Sequence, residues 1–105
     1  MAIKKPKSKE RYAIIANDRY GLYVGVVLEH DTKERVVYAK NVRHVARWYG
    51  KTGGITSLAV YGLCGESASE SRIGGAASSA TLTGVVNVID CTPEARATFE
   101  AALQT

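Results

Sequence analysis

Residues 20–40, YGLYVGVVLEHDTKERVVYAK, decide the fold. Leu22, Val24, Val26 and Leu28 alternate with Tyr23, Gly25, Val27 and Glu29. That period of two puts an aliphatic row on one face of a strand. Asp31, Thr32 and Lys33 form a short turn, and residues 34–40 return as a second strand. So short a connection makes the pair antiparallel. Gly25, bare in mid-strand, predicts a bulge or a close backbone approach.

Working outward, residues 11–16 (RYAIIA) read as a preceding strand that Asn17 and Asp18 turn back. Residues 41–49 (NVRHVARWY) fit either a strand or a helix. As a strand they place Arg43, Val45, Arg47 and Tyr49 on one face. As a helix they still align Arg43 with Arg47, four apart. Gly50, Gly53 and Gly54 end that segment, and a short helix follows over residues 55–61. Ile55, Leu58 and Ala59 form its apolar stripe, and Gly62 stops it. Residues 65–80, dominated by Ser, Ala and Gly, read as a mobile loop with a weak strand from Arg72 onward. Residues 85–91 (VVNVIDC) form a strand rich in β-branched residues. Thr92-Pro93-Glu94 then opens a helix as N-cap, first-position proline and first-turn acid. It runs to about Leu103, with Ala95, Phe99 and Ala102 or Leu103 toward the sheet. The expected fold is α+β: a small, mainly antiparallel sheet with a short central helix and a C-terminal helix.

Residues 1–9 (MAIKKPKSK) are basic, broken by Pro6, and predict a flexible tail. Such a tail can touch phosphates or simply aid solubility. The remainder, residues 10–105, is expected to be one domain. A chain of 105 residues has a thin margin of buried surface, so homo-oligomerisation is a natural way to gain more. The composition, 46% apolar and 23% charged, is that of a globular protein. No apolar run is long enough to span a membrane, and no hydrophobic signal follows the basic start. Cys64 and Cys91, far apart, read as free thiols in a reducing compartment, and whether they meet stays open. The net charge of +4 fits an anionic partner but names none.

No catalytic set emerges. The histidines and cysteines lack the close paired spacing of metal sites, and the serines lack a nucleophile motif. The expectation is therefore no enzyme, no metal and no cofactor. Gly50-Lys51-Thr52-Gly53-Gly54 fails as a phosphate loop because its lysine and threonine come too early. It remains either a generic anion site at a helix start or a plain turn. The best constellation is Arg43, Arg47, Trp48 and Tyr49, followed by Gly53 and Gly54. Arginines give bidentate phosphate contacts, aromatic rings stack on bases, and glycine amides can donate to phosphate oxygens. Tyr20, Tyr23 and Tyr38 could extend the aromatic surface. Trp48, the single tryptophan, could equally anchor the core.

The stretches KNVRHVARWYG, GGITSLAVYG and VVNVIDCTPEA carry a resemblance. Through Asn41, Arg43, Trp48, Tyr49, Leu58, Ala59, Cys91, Thr92 and Ala95, the chain resembles a family of small phage and prophage proteins. The resemblance covers roughly residues 11–103. It departs over residues 65–80, where the family is more charged. It implies a phage origin and a place in the cytoplasm of an infected bacterium. By analogy of size and surface chemistry, the implied role is an anti-defence sponge. Such an oligomer sequesters a cyclic nucleotide-type immune signal without cleaving it. The rival readings are a virion accessory or host-factor inhibitor and, less favoured, a nuclease or phosphodiesterase. A nucleic-acid partner is possible but not favoured.

Overall fold

A computed structural model describes residues 10–18, 21–50 and 53–104. The basic tail, Tyr20, Lys51 and Thr52 lie outside the described residues. The chain folds as β1 (Tyr12–Asn17), β2 (Gly21–Asp31), β3 (Val36–Arg47), α1 (Ile55–Tyr61), β4 (Arg72–Ile73), β5 (Ala77–Leu82), β6 (Val85–Asp90) and α2 (Pro93–Ala101). This is the α+β fold read from the sequence: one six-stranded antiparallel sheet, a short central helix and a C-terminal helix. The strands lie in the order β4-β3-β2-β1-β6, with β5 beside β4 along the outer side of β3.

The sheet is sharply bent. In a flat sheet, ten residues of β2 would separate its two ends by about 33 Å. Yet Val85, paired with Asn17 of β1, which itself pairs with the start of β2, donates its N–H to the carbonyl of Arg35 beyond the far end of β2, at 3.0 Å. Two irregularities make the bend. Asn41 takes a left-handed backbone conformation (φ 52°) and adds an extra residue to β3 opposite Gly25. Leu28 adds one to β2 opposite the link between Tyr38 and Ala39. Bulges of this kind bend a strand and raise its twist. Gly25 is required at the corner: a Cβ there would stand 3.0 Å from Val42 Cγ2 and 3.1 Å from the Lys40 carbonyl oxygen.

The bend creates two cores. Ile15, Val37, Ala39, Val42, Leu82 and Val85 are buried in the concave one. On the other face, Ile14, Val24, Val45, Leu58, Ile73 and Phe99 pack with both helices. The stripe read on α1 holds, with Leu58 and Ala59 buried and Ile55 packed against that core. On α2, Ala95 and Phe99 are buried and Ala102 packs, whereas Leu103 is 83% exposed. Thr92 caps α2 by accepting from the Ala95 N–H at 3.1 Å, and its hydroxyl donates to the Val60 carbonyl at 2.6 Å. One side chain thus fixes the start of α2 to the end of α1.

One open reading is settled, one expectation is corrected and one is refined. Residues 41–47 are strand, continuous with residues 36–40, because the bulge at Asn41 absorbs the irregularity that blurred their period. The aliphatic row of β2 breaks at Leu28, which the second bulge turns outward to 61% exposure. Within residues 65–80 the strand read from Arg72 onward is present, and less of the segment is loop than expected. These residues hold a 3-10 turn (Ala68–Glu70), β4 and most of β5.

Candidate functional site

The bulges separate the two arginines that a regular strand would align. Arg43 faces the helices and is 9% exposed. Its Nε donates to the Gly74 carbonyl at 2.6 Å, and Nη1 donates to Phe99 at 2.7 Å and Ala102 at 2.9 Å. Nη2 reaches the Ile73 carbonyl at 3.5 Å. Arg43 therefore closes the C-terminal end of α2, where a cation is favoured by the helix dipole and the last carbonyls need donors. It belongs to the packing of the fold, and its place in the ligand-binding set is withdrawn.

Arg47 has the opposite setting. A further bulge at Ala46 brings it opposite Arg72 of β4, and both side chains are exposed. Among the described arginines, Arg11, Arg35 and Arg96 have carboxylate partners and Arg43 has carbonyls. The side chains of Arg47 and Arg72 alone have no hydrogen bond or ion pair among the described residues. Like charges directly opposite on paired strands destabilise a sheet. An anion held between them would remove that repulsion and take a bidentate contact from each.

The neighbours of this pair share its face. Val45 and Ile73 are paired and buried under the helices, so His44 and Arg72, one residue away on each strand, point to the opposite side. His44 lies against Tyr23, ring centroids 5.0 Å apart and 40° inclined. An added Cβ on Gly21 would reach only 3.9 Å from His44 Nε2, so the bare glycine lies under the imidazole. The result is two arginines beside a tilted pair of rings, on the side away from the helices.

The other sequence candidates are placed as follows. Trp48 is half-buried and packs on the helix-side core, as an anchor. Tyr49 is half-buried, and its N–H donates to the Ser71 hydroxyl at 3.0 Å, tying the end of β3 to the start of β4. Gly53 and Gly54 are exposed, with φ of 122° and 79°. They precede a helix of seven residues, too short for its dipole to hold an anion by itself. Tyr38 lies on the far arm of the bent sheet, across from Thr81. Arg72 and His44 were missed as site residues. Arg72 sat in the low-complexity segment, and the face of His44 depends on bulges that have no clear pattern in sequence.

No group of three or more His, Cys, Asp or Glu is placed to hold a metal among the described residues. Cys64 and Cys91 are free and half-buried. Burial, reinforced by the neighbouring Asp90 charge, pushes the Cys91 thiol up to about 12. Burial likewise raises the Tyr12 phenol. No helix among the described residues is long and apolar enough to cross a membrane. A groove of about 460 Å³ lies between the end of α2 and the β4–β5 link, lined by Tyr12, Asn41, Arg43, Gly75, Glu100 and Gln104. The arginine pair itself sits on an open face.

Fold and site together define a small α+β domain, built on a bent antiparallel sheet, with a cationic patch at one end that has no ion-pair partner among the described residues. The chain belongs to the family described as a domain of unknown function, DUF6948, whose model matches residues 10–99. No curated protein and no solved structure matches the chain.

Proposed function

We propose that this protein binds and holds a small phosphorylated, nucleotide-type ligand without cleaving it. Arg47 and Arg72 neutralise the phosphate, and the Tyr23–His44 ring pair carries the base. One observation carries the reading: two exposed arginines face each other across paired strands with no acid to balance them among the described residues. The resemblance to small phage proteins supplies the setting, in which the domain withdraws a cyclic nucleotide immune signal in an infected bacterium. The open face calls for a second copy to enclose the ligand.

Calorimetric titration against cyclic dinucleotides, cyclic trinucleotides and cyclic ADP-ribose isomers tests the reading, with each ligand recovered by chromatography. Saturable binding with the ligand returned intact is expected. Degraded ligand would replace sequestration by an enzyme, and silence across the panel would overturn the proposal.

A further inference from the structure

No Asp, Glu, Lys, Arg or His occurs from residue 73 to residue 89, in a chain that is 23% charged. This one run supplies β5 and nearly all of β6, two of the three edge strands among the described residues; the third, β4, carries Arg72 and bridges Gln104 through Ile73. β5 and β6 differ in cover. The outer side of β6 faces the β2–β3 turn of its own molecule across a groove of about 340 Å³, which His30, Thr32 and Arg35 line from the other bank. The bond from Val85 to Arg35 closes that groove at one end. β5 pairs with β3 on one side and has no second strand among the described residues.

Sheet edges in soluble proteins are normally blunted by lysine, proline, bulges or inward-pointing charge. β5 has none of these. Its sequence is ASSATL, and its register with β3 runs from Val37↔Leu82 to Val42↔Ala77 without a shift. Ala77, Ser78, Ser79 and Thr81 are exposed and small, so nothing bulky shields the outward N–H and C=O groups.

We propose that the β5 edge pairs antiparallel with the β5 edge of a second copy of this chain, joining two sheets across a twofold axis. Charge selects this occupant. Of the strands at the sheet edges, β4 carries Arg72 and β6 carries Asp90, so β5 is the one that can meet its own copy without opposing like charges. An antiparallel pair of identical strands is also self-complementary, as a twofold interface requires. A chain of this size gains most from such added burial. The inference stands apart from the ligand reading, since β5 carries none of its residues.

The test is sedimentation of the full chain over a concentration series, with a charge swap at mid-strand. Ser79→Lys and Ser79→Glu each place like charges near their twofold mates and should weaken self-association about tenfold or more. Mixed in equal amounts, the two variants should form a dimer again. Circular dichroism and melting of each variant report whether it folds. If one does not, Thr81→Lys with Thr81→Glu provides the same swap. A parent chain that is monomeric at every concentration overturns the proposal. So does a parent dimer that both single variants form equally well.

Discussion

Replacing Arg43 by methionine should unfold this protein more readily than any surface change. The side chain donates three hydrogen bonds of 2.6–2.9 Å to the carbonyls of Gly74, Phe99 and Ala102. Bonds from a charged donor are each worth about 1.5–3 kcal/mol. The sum is not additive, because the Ala102 carbonyl at the helix end can turn to water. The Phe99 carbonyl is deeper and would keep only the longer bond from the Ala102 N–H, at 3.3 Å. We therefore expect a loss of about 3–5 kcal/mol, the range for breaking a buried charged network. A domain of this size loses roughly 4–8 °C of melting temperature per kcal/mol, so Arg43→Met should melt at least about 12 °C lower. Arg43→Lys keeps the charge but reaches fewer carbonyls, and should fall between. Thermal unfolding followed by circular dichroism at neutral pH measures both. An Arg43→Met protein melting within about 3 °C of the parent would refute the assignment of Arg43 to the fold.

Gly25→Ala should cost about 1–3 kcal/mol, because the new methyl meets the Lys40 carbonyl and the Val42 backbone at the bend, and neither can rotate away. Urea unfolding would show it, and an unchanged midpoint would mean the corner is looser than it looks. Thr92→Val keeps the shape but removes the cap and the link to α1, for an expected loss of about 1–2 kcal/mol. Thr92→Ser should restore most of it. The Cys91 thiol is raised from 9 to about 12 in the folded chain, so its contribution is fully present below pH 9 and is lost as pH rises toward 12. Unfolding midpoints across that window should fall less steeply in Cys91→Val than in the parent, and identical slopes would contradict the burial of the thiol.

Much of the fold was legible because the signals were local. The alternation in residues 20–30, the short turn at Asp31 and the Thr92-Pro93-Glu94 cap each stand within a few residues. The bend was foreshadowed by Gly25 alone. What escaped depends on partners distant in sequence. A single extra residue at Ala46, between the two arginines, changes which face the end of β3 presents, so Arg43 joins the helix-side packing while Arg47 stays outside. Alternation cannot show this, since an extra residue leaves the local pattern plausible on either face. β5 was hidden for another reason: Ser and Ala on an edge strand offer no apolar contrast between faces. The site was half legible, in that Arg47 was found and its cross-strand neighbour Arg72 was not.

The ligand-binding account stands on Arg47 and Arg72. Its most direct test is calorimetric titration of the Arg47→Ala/Arg72→Ala protein against the tightest-binding cyclic nucleotide of the panel. The account predicts affinity lower by about 100-fold, roughly tenfold for each lost charged contact. It also predicts a melting temperature unchanged or slightly raised, because the like charges no longer face each other. Parent-like affinity in the double variant would contradict it.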